Sequence, residues 1–265
     1  MPTYLDKILA RHREAALADN RDVSVLLAEA QKCPQARGFA AALRNGPAEG
    51  RGHPAVIAEI KRRSPSKGPL APDLVAGVLA KSYAAAGAAC LSVLTDHEFF
   101  GGSAEDLAEA RAAVELPVLR KDFTVSSADV CDARLMGADA LLLIVGALSP
   151  GALAELVQLA RHLEVDALVE VHDEAEAELA LSAGAEMVGV NQRDLVTFSV
   201  DTERAVRVSA MLPRNVVRVA ESGIRTPDDV RRLADAGFDA VLVGEALVTA
   251  ADPGAALASL TEAAN

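Results

Sequence analysis

The chain has 265 residues, of which 51% are hydrophobic and 24% charged. That is globular composition with enough apolar material for a sizeable core, so extended disorder is excluded. The balance of 26 Lys+Arg against 38 Asp+Glu leaves a net charge of −12, the wrong sign for a nucleic-acid binder. Aromatics at 3% with no Trp also argue against a base-stacking surface. The N-terminus, M-P-T-Y-L-D-K-I-L-A-R-H-R-E, has no apolar stretch of the signal-peptide kind. Cys33, Cys90 and Cys131 form no C-x-x-C pair, which predicts reduced thiols in a cytoplasm.

In chain order, Leu5, Ile8 and Leu9 predict an amphipathic helix, Val23 to Ala30 predicts a second, and Asn45 to Pro54 reads as a loop by its Gly and Pro content. Eight short apolar runs follow, starting at Ala55, Ala89, Leu116, Ala140, Ala167, Met187, Val216 and Ala240. The run Ala140–Leu148 is the most apolar, and it is too short for a bilayer, which needs about 20 residues. The starts lie about 20 to 35 residues apart, room for a strand and a crossover helix. Glycines at Gly87, Gly137, Gly184 and Gly237 precede four of the runs and mark helix ends. Pro227 to Ala236 reads as one such helix, with Thr226 as its cap. This rhythm predicts a (β/α)8 TIM barrel, with an open doubly wound sheet as the alternative. The expected organisation is one domain over residues 1–265, with residues 1–54 an N-terminal helical extension packed on the barrel.

Polar residues stand at the C-terminal ends of the runs, where a barrel of this kind has its active site. Glu59 and Lys61 close run 1, and Arg120, Lys121 and Asp122 close run 3. Glu170 lies in run 5, Asn191 and Arg193 follow run 6, and Glu221 and Ser222 follow run 7. Ionised groups in apolar strands are costly unless paired or ligated. A rim of internal salt bridges accounts for any one of them, less well for the set. Lys61, Arg62, Arg63, Lys67, Arg120, Lys121 and Arg193 put positive charge at the mouth of an acidic chain, which suits a small anionic substrate. Gly223 and Gly244 follow runs 7 and 8, the usual barrel phosphate site. Asp228 and Asp229 already complement the helix at Pro227, so the amides at Ser222–Gly223 and Gly244–Glu245–Ala246 are the better donors. The five histidines, His172 among them, show no metal-ligand spacing and are expected in loops or at the surface. The acids from Glu170 to Glu178 lack the glycine turn of an EF-hand. No G-x-G-x-x-G or G-x-S-x-G occurs, so dinucleotide and serine-hydrolase chemistry have no foothold.

The strings I-A-E-I-K-R-R-S-P-S-K-G from Ile57, L-T-D-H-E-F-F-G-G-S from Leu94 and L-P-V-L-R-K-D-F from Leu116 resemble the indole-3-glycerol phosphate synthase family. So do L-V-E-V-H-D from Leu168, G-V-N-Q-R-D-L from Gly189, V-A-E-S-G-I from Val219 and V-L-V-G-E-A-L from Val241. Ala220 and Gln192 depart from the usual Ser and Asn. The resemblance covers nearly the whole chain, including the helical extension. It implies closure of the indole ring of 1-(2-carboxyphenylamino)-1-deoxyribulose 5-phosphate with loss of CO2 and water, in tryptophan biosynthesis. It implies Lys121 as the acid of ring closure, Lys61 as an anion contact and acid of dehydration, and Glu59 and Glu170 as carboxylates for base and orienting roles. Ser64, Asn191, Arg193 and Glu221 would position substrate, Phe100 and Phe123 would contact the anthranilate ring, and Ser222, Gly223, Gly244 and Glu245 would hold the phosphate. No metal and no organic cofactor is implied, and the partner is a small sugar phosphate rather than nucleic acid or membrane. The competing readings are a sugar-phosphate isomerase of the phosphoribosyl-anthranilate type, which would want a catalytic Asp or Cys at the strand ends, and a non-catalytic scaffold.

Overall fold

All eight apolar runs become strands of one sheet: β1 Ala55–Ile60, β2 Cys90–Leu94, β3 Val118–Lys121, β4 Ala140–Ile144, β5 Asp166–Val171, β6 Met187–Asn191, β7 Val217–Glu221 and β8 Ala240–Val243. In this computed structural model, which describes residues 3–48, 53–194 and 198–262, each strand pairs in parallel with the next. β1 also pairs with β8, so the sheet closes on itself. Ile57 sits beside Cys90 on one side and Leu242 on the other. The closed parallel ring is the (β/α)8 TIM barrel expected, not an open sheet.

The sequence makes this barrel by burying both strand faces. Val56, Ala58, Val93, Val118, Leu141, Leu143, Val169, Val188 and Val241 face outward into a cluster shared with the surrounding helices. Ile57, Cys90, Leu119, Leu142, Leu168, Met187, Val217, Val219 and Leu242 face inward and fill the axis. Between the strands the helices are α4 Ala76–Ala85, α5 His97–Phe100, α6 Ala104–Ala113, α7 Ser127–Leu135, α8 Pro150–His162, α9 Glu174–Ser182, α10 Thr202–Ser209 and α11 Pro227–Asp235, and after β8 come α12 Glu245–Val248 and α13 Pro253–Glu262. Thr226 caps α11 in a reciprocal box with Asp229, and Pro227 opens it, as its sequence predicts. Gly87, Gly137, Gly184 and Gly237 all take positive φ, between 82° and 92°, the left-handed turn expected after each helix. None of the described helices is long and apolar enough to cross a membrane.

Before β1 come α1 Tyr4–Ala18, α2 Val23–Ala30 and α3 Phe39–Ala48. The third corrects the reading of Asn45 to Pro54 as loop throughout, because α3 runs on to Ala48. Residues 49–52 of that stretch lie outside the described residues. Phe39 and Leu43, one helical turn apart and fully buried, join the inward cluster of the barrel. At this N-terminal end of the strands Asp139, wholly buried, accepts from the Arg37 and Val118 amides and from Arg111, each at 2.8 Å. Asp166 accepts from the Ala40 amide at 2.8 Å. The opposite end receives α1, whose Arg13 donates to the Ala147 carbonyl at 2.8 Å.

Candidate active site

Side chains alternate along a strand, so a residue two beyond an inward apolar one also faces inward. Glu59 follows Ile57 in this way on β1, Lys121 follows Leu119 on β3, Glu170 follows Leu168 on β5 and Glu221 follows Val219 on β7. All four belong to odd-numbered strands, the arrangement by which such barrels build one layer of four side chains across the axis. Lys121 Nζ donates to Glu221 Oε2 at 2.5 Å and to Glu170 Oε2 at 3.2 Å. Lys61 Nζ donates to Glu59 Oε1 at 2.5 Å. Asn191 Nδ2 donates to Glu170 Oε1 at 3.1 Å, and the side-chain oxygen Oδ1 of Asn191 receives the Arg193 amide at 3.0 Å.

Two glycines make room for this layer. A Cβ at Gly189 would collide with Glu221 Oε1, and one at Gly244 with Glu59 Oε1. The carboxylates occupy the space that side chains there would fill.

The layer is nearly dry, with Glu59, Glu170 and Glu221 each 4% exposed or less. Burial pushes the Glu221 carboxyl up to about 7, helped by Glu170 and Glu59 and opposed by Lys121. For Glu170 burial acts in the same direction, but Lys121, His172 and the Asn191 hydrogen bond prevail and hold it below the usual glutamate value. Burial would lower the Lys121 ammonium, yet Glu221, Glu170 and Glu59 outweigh it and keep it above the ordinary lysine range. The result is a lysine fixed in its charged form beside one ionised carboxylate and one that exchanges protons near neutrality.

Above the layer lies a cavity of about 180 Å³. Of the residues singled out by sequence, Glu59, Lys61, Phe100, Lys121, Phe123, Glu170, Asn191, Arg193, Glu221, Ser222, Gly223, Gly244 and Glu245 all line it. Ser64 does not: it sits on a two-residue strand paired with Gly68–Pro69, its hydroxyl buried and without a hydrogen-bond partner among the described residues, and Pro65 and Ser66 take the wall instead. Arg62 and Arg120 are also turned away from the mouth. Arg62 is held by Asp106 and the Leu74 carbonyl, and Arg120 by Asp122 at 3.0 Å and the Asp129 carbonyl. Leu195, the end of the G-V-N-Q-R-D-L string, lies outside the described residues.

One end of the cavity is cationic. Lys67, Arg193 and Arg225 surround Glu245 at 3.7, 3.7 and 3.3 Å. Ser222 and Gly223 there both take left-handed backbone, φ 67° and 73°, and Gln192 Nε2 donates to the Ser222 carbonyl at 2.7 Å. The other end is apolar, with the Phe100 and Phe123 ring centroids 6.2 Å apart. Tyr4, Leu5 and Ile8 of α1 roof it, and the Tyr4 ring meets Phe198 edge-on at 6.0 Å.

Sequence reasoning missed these α1 residues, Arg225, Phe198, Gln192 and His172. The apolar face of α1 was legible, but not the end of the barrel it covers. His172 is not the bystander expected, since its ring reaches Glu170. His12, Asp96 and Asp122 also converge, within 4.8 Å of one another. That group already has its own partners: His12 Nε2 meets Asp96 Oδ2 at 3.0 Å, Asp96 Oδ1 caps α5, and Asp122 takes Arg120 and Thr95. It reads as the attachment of α1 to the β2 and β3 loops.

Comparison with known proteins supplies the family. Two solved barrels resemble the chain in fold, both with a TM-score of 0.59. An N-acetylmannosamine-6-phosphate 2-epimerase from Clostridium perfringens is 16% identical, covering 74% of this chain and 89% of its own, and a thiamine phosphate pyrophosphorylase from Pyrococcus furiosus is 17% identical, covering 81% and 96%. Curated relatives are nearer in sequence. The indole-3-glycerol phosphate synthase 2 of Streptomyces coelicolor is 50% identical over 94% of this chain and 93% of its own. The indole-3-glycerol phosphate synthase of Polaromonas sp. is 48% identical over 98% of each, and that of Chloroherpeton thalassium 48% over 93% and 95%. The profile described as Indole-3-glycerol phosphate synthase matches residues 5–260, and with the barrel and the charged layer at its mouth this places the chain in the indole-3-glycerol phosphate synthase family.

Proposed function

We propose that this chain is a carboxy-lyase that converts 1-(2-carboxyphenylamino)-1-deoxyribulose 5-phosphate to indole-3-glycerol phosphate, CO2 and water, in tryptophan biosynthesis. The observation that carries the reading is Lys121 clamped between Glu170 and Glu221, in a cavity with a cationic end and an aromatic end. Arg193, Arg225, Lys67 and the backbone at Ser222–Gly223 and Gly244–Glu245 take the phosphate. Phe100 and Phe123 take the anthranilate ring, and Lys61 takes its carboxylate. The ring carbon attacks the C2′ carbonyl, and Lys121 donates a proton to the oxygen as the new bond forms. Loss of CO2 returns its electron pair to the ring system. The hydroxyl on C2′ then leaves as water with a proton from Lys61, while Glu59 or Glu170 removes a proton from C1′, which completes the pyrrole ring. Asn191 and Glu221 position these groups.

The isomerase reading loses support from Cys90, which lies buried in the apolar axis with its thiol pushed well up by burial. A scaffold has no use for a buried layer of three carboxylates and a lysine. The single domain over residues 1–265, with residues 1–54 its extension, is part of this proposal, since α1 residues wall the cavity. Free Cys33, Cys90 and Cys131 support a cytoplasmic site of action. The test is formation of the fluorescent indole product from the carboxyphenylamino sugar by purified protein. Absence of product, with intact secondary structure, refutes the assignment.

A further inference from the structure

His172 follows β5 directly, two residues beyond Glu170, and its ring lies between two carboxylates. On one side Glu176, in the first turn of α9, accepts the His172 backbone amide at 2.7 Å and faces Nδ1 at 3.1 Å, both through Oε2. On the other side Nε2 stands 3.4 Å from Glu170 Oε1. That nitrogen is buried, is not aligned for a hydrogen bond with Glu170, and has no other partner among the described residues. Glu170 Oε1 is also the atom that receives Asn191, while Oε2 receives Lys121. The Glu170 carboxylate is thus hydrogen-bonded from two elements, β3 and β6, and faced by the His172 ring of the β5 loop at 3.4 Å.

We infer that His172 is a positioning residue for the proposed reaction: anchored by Glu176, its imidazole fixes the Glu170 carboxylate against Asn191 and Lys121. The inference rests on the reading of Glu170 as a working carboxylate. The chemistry follows the usual logic of a histidine whose second nitrogen sets the tautomer and tilt of the first. Glu176 accepts from Nδ1–H, which fixes the ring, and in its charged form the ring turns its second N–H, on Nε2, toward Glu170.

The charge of the pair supports the geometry. Burial disfavours the imidazolium, but the Glu176 hydrogen bond and the Glu170 and Glu176 charges outweigh it and raise the His172 value above the ordinary one, against Arg204 of α10. Lys121, Glu221 and Glu59 face Glu170 from the other strands of the layer. A charged His172 favours ionised Glu170. Its removal therefore lets Glu170 take up a proton at higher pH.

The experiment compares His172→Asn, His172→Gln and Glu176→Gln with the parent enzyme, by kcat and KM across pH and by thermal midpoint. The expected result for the histidine variants is a fall in kcat of about tenfold with KM changed less than about twofold. The acidic limb of the kcat profile should move up by about half a unit to one unit. Glu176→Gln should move the limb in the same direction by less. The same His172→Asn change made on Glu170→Gln should have little further effect, because it acts through that carboxylate. An unmoved pH limb, or a loss of equal size in both backgrounds, overturns the inference, as does a drop in thermal midpoint with kcat intact. Full activity of Glu170→Gln alone overturns instead the role given to Glu170, and with it the inference drawn on it.

Discussion

Replacing Lys121 by Met keeps most of the apolar stem and deletes the proton donor. If Lys121 protonates the carbonyl oxygen, turnover should fall by about 10²–10⁴-fold, the usual worth of general acid catalysis, which is a barrier increase of about 3–5 kcal/mol. Folding pays separately, because Glu170 and Glu221 lose the cation that holds them together at 3.2 and 2.5 Å. Breaking a buried pair costs about 3–5 kcal/mol when the remaining charge has no outlet. Here there is an outlet: Glu221 sits at about 7 even with the lysine present, so without it a proton is taken up readily. A carboxyl whose folded value lies above its unfolded one binds more protons when folded, so stability falls as pH rises from about 4.5 through that folded value. The variant should therefore lose roughly 6–20 °C of thermal midpoint at pH 8, at about 2–4 °C per kcal/mol, and clearly less at pH 6. Turnover by product fluorescence, measured well below the midpoint, separates the two effects. Near-normal turnover in a destabilised protein would falsify the acid role and leave Lys121 as a structural ion-pair partner.

Other perturbations test the surroundings. Gly189→Ala should displace Glu221 from Lys121, since the new methyl takes the place of its Oε1; turnover should fall by about tenfold or more with the barrel's circular dichroism unchanged, and full activity would show that the layer tolerates the shift. A carboxylate placed at Gly244 is not a clean probe of the phosphate end for the same reason, because it strikes Glu59. Glu245→Gln is better: it frees Arg193, Arg225 and Lys67, and inorganic phosphate should bind about threefold to tenfold tighter by calorimetry. Weaker binding would mean that Glu245 orients those cations rather than competing for them. For His12, burial opposes the charge, but the Asp96 hydrogen bond and the Asp122 and Asp96 charges raise its value. Its contribution to stability is thus full below about 6.5 and is lost as pH rises through the raised value. His12→Ala should flatten that part of the midpoint-against-pH curve, and an unchanged slope would refute the attachment.

Much of this was legible because ionisable residues are rare in buried strands. Glu59, Lys121, Glu170 and Glu221 each interrupt an apolar run near its end, and the period of two turns all four to the axis. Arg120 stands one residue before Lys121 on β3, and the same period turns it away from the axis, where Asp122 neutralises it; Arg62, just past the end of β1, is drawn off by Asp106 of α6. A count of charge at the mouth overlooks that parity. The α3 helix was obscured by Asn45, Gly46 and Pro47, which signal a turn, while its buried anchors Phe39 and Leu43 come earlier. Tyr4, Leu5 and Ile8 carry the pattern of any amphipathic helix, and only contacts distant in sequence decide what they cover. His172 gave no signal because its neighbours Glu170 and Glu176 also read as acids opening a helix.

The attachment of α1 has a consequence for the order in which the protein matures. Its ties to the barrel, His12 to Asp96 and Arg13 to the Ala147 carbonyl, span 84 and 134 residues of chain, whereas most of the barrel closes strand by strand between neighbours in sequence. Contacts of such long separation carry the larger loop-closure cost and form late. The roof of the cavity is therefore among the last parts to arrive, and a refolding chain acquires its secondary structure before it acquires a site that can exclude water.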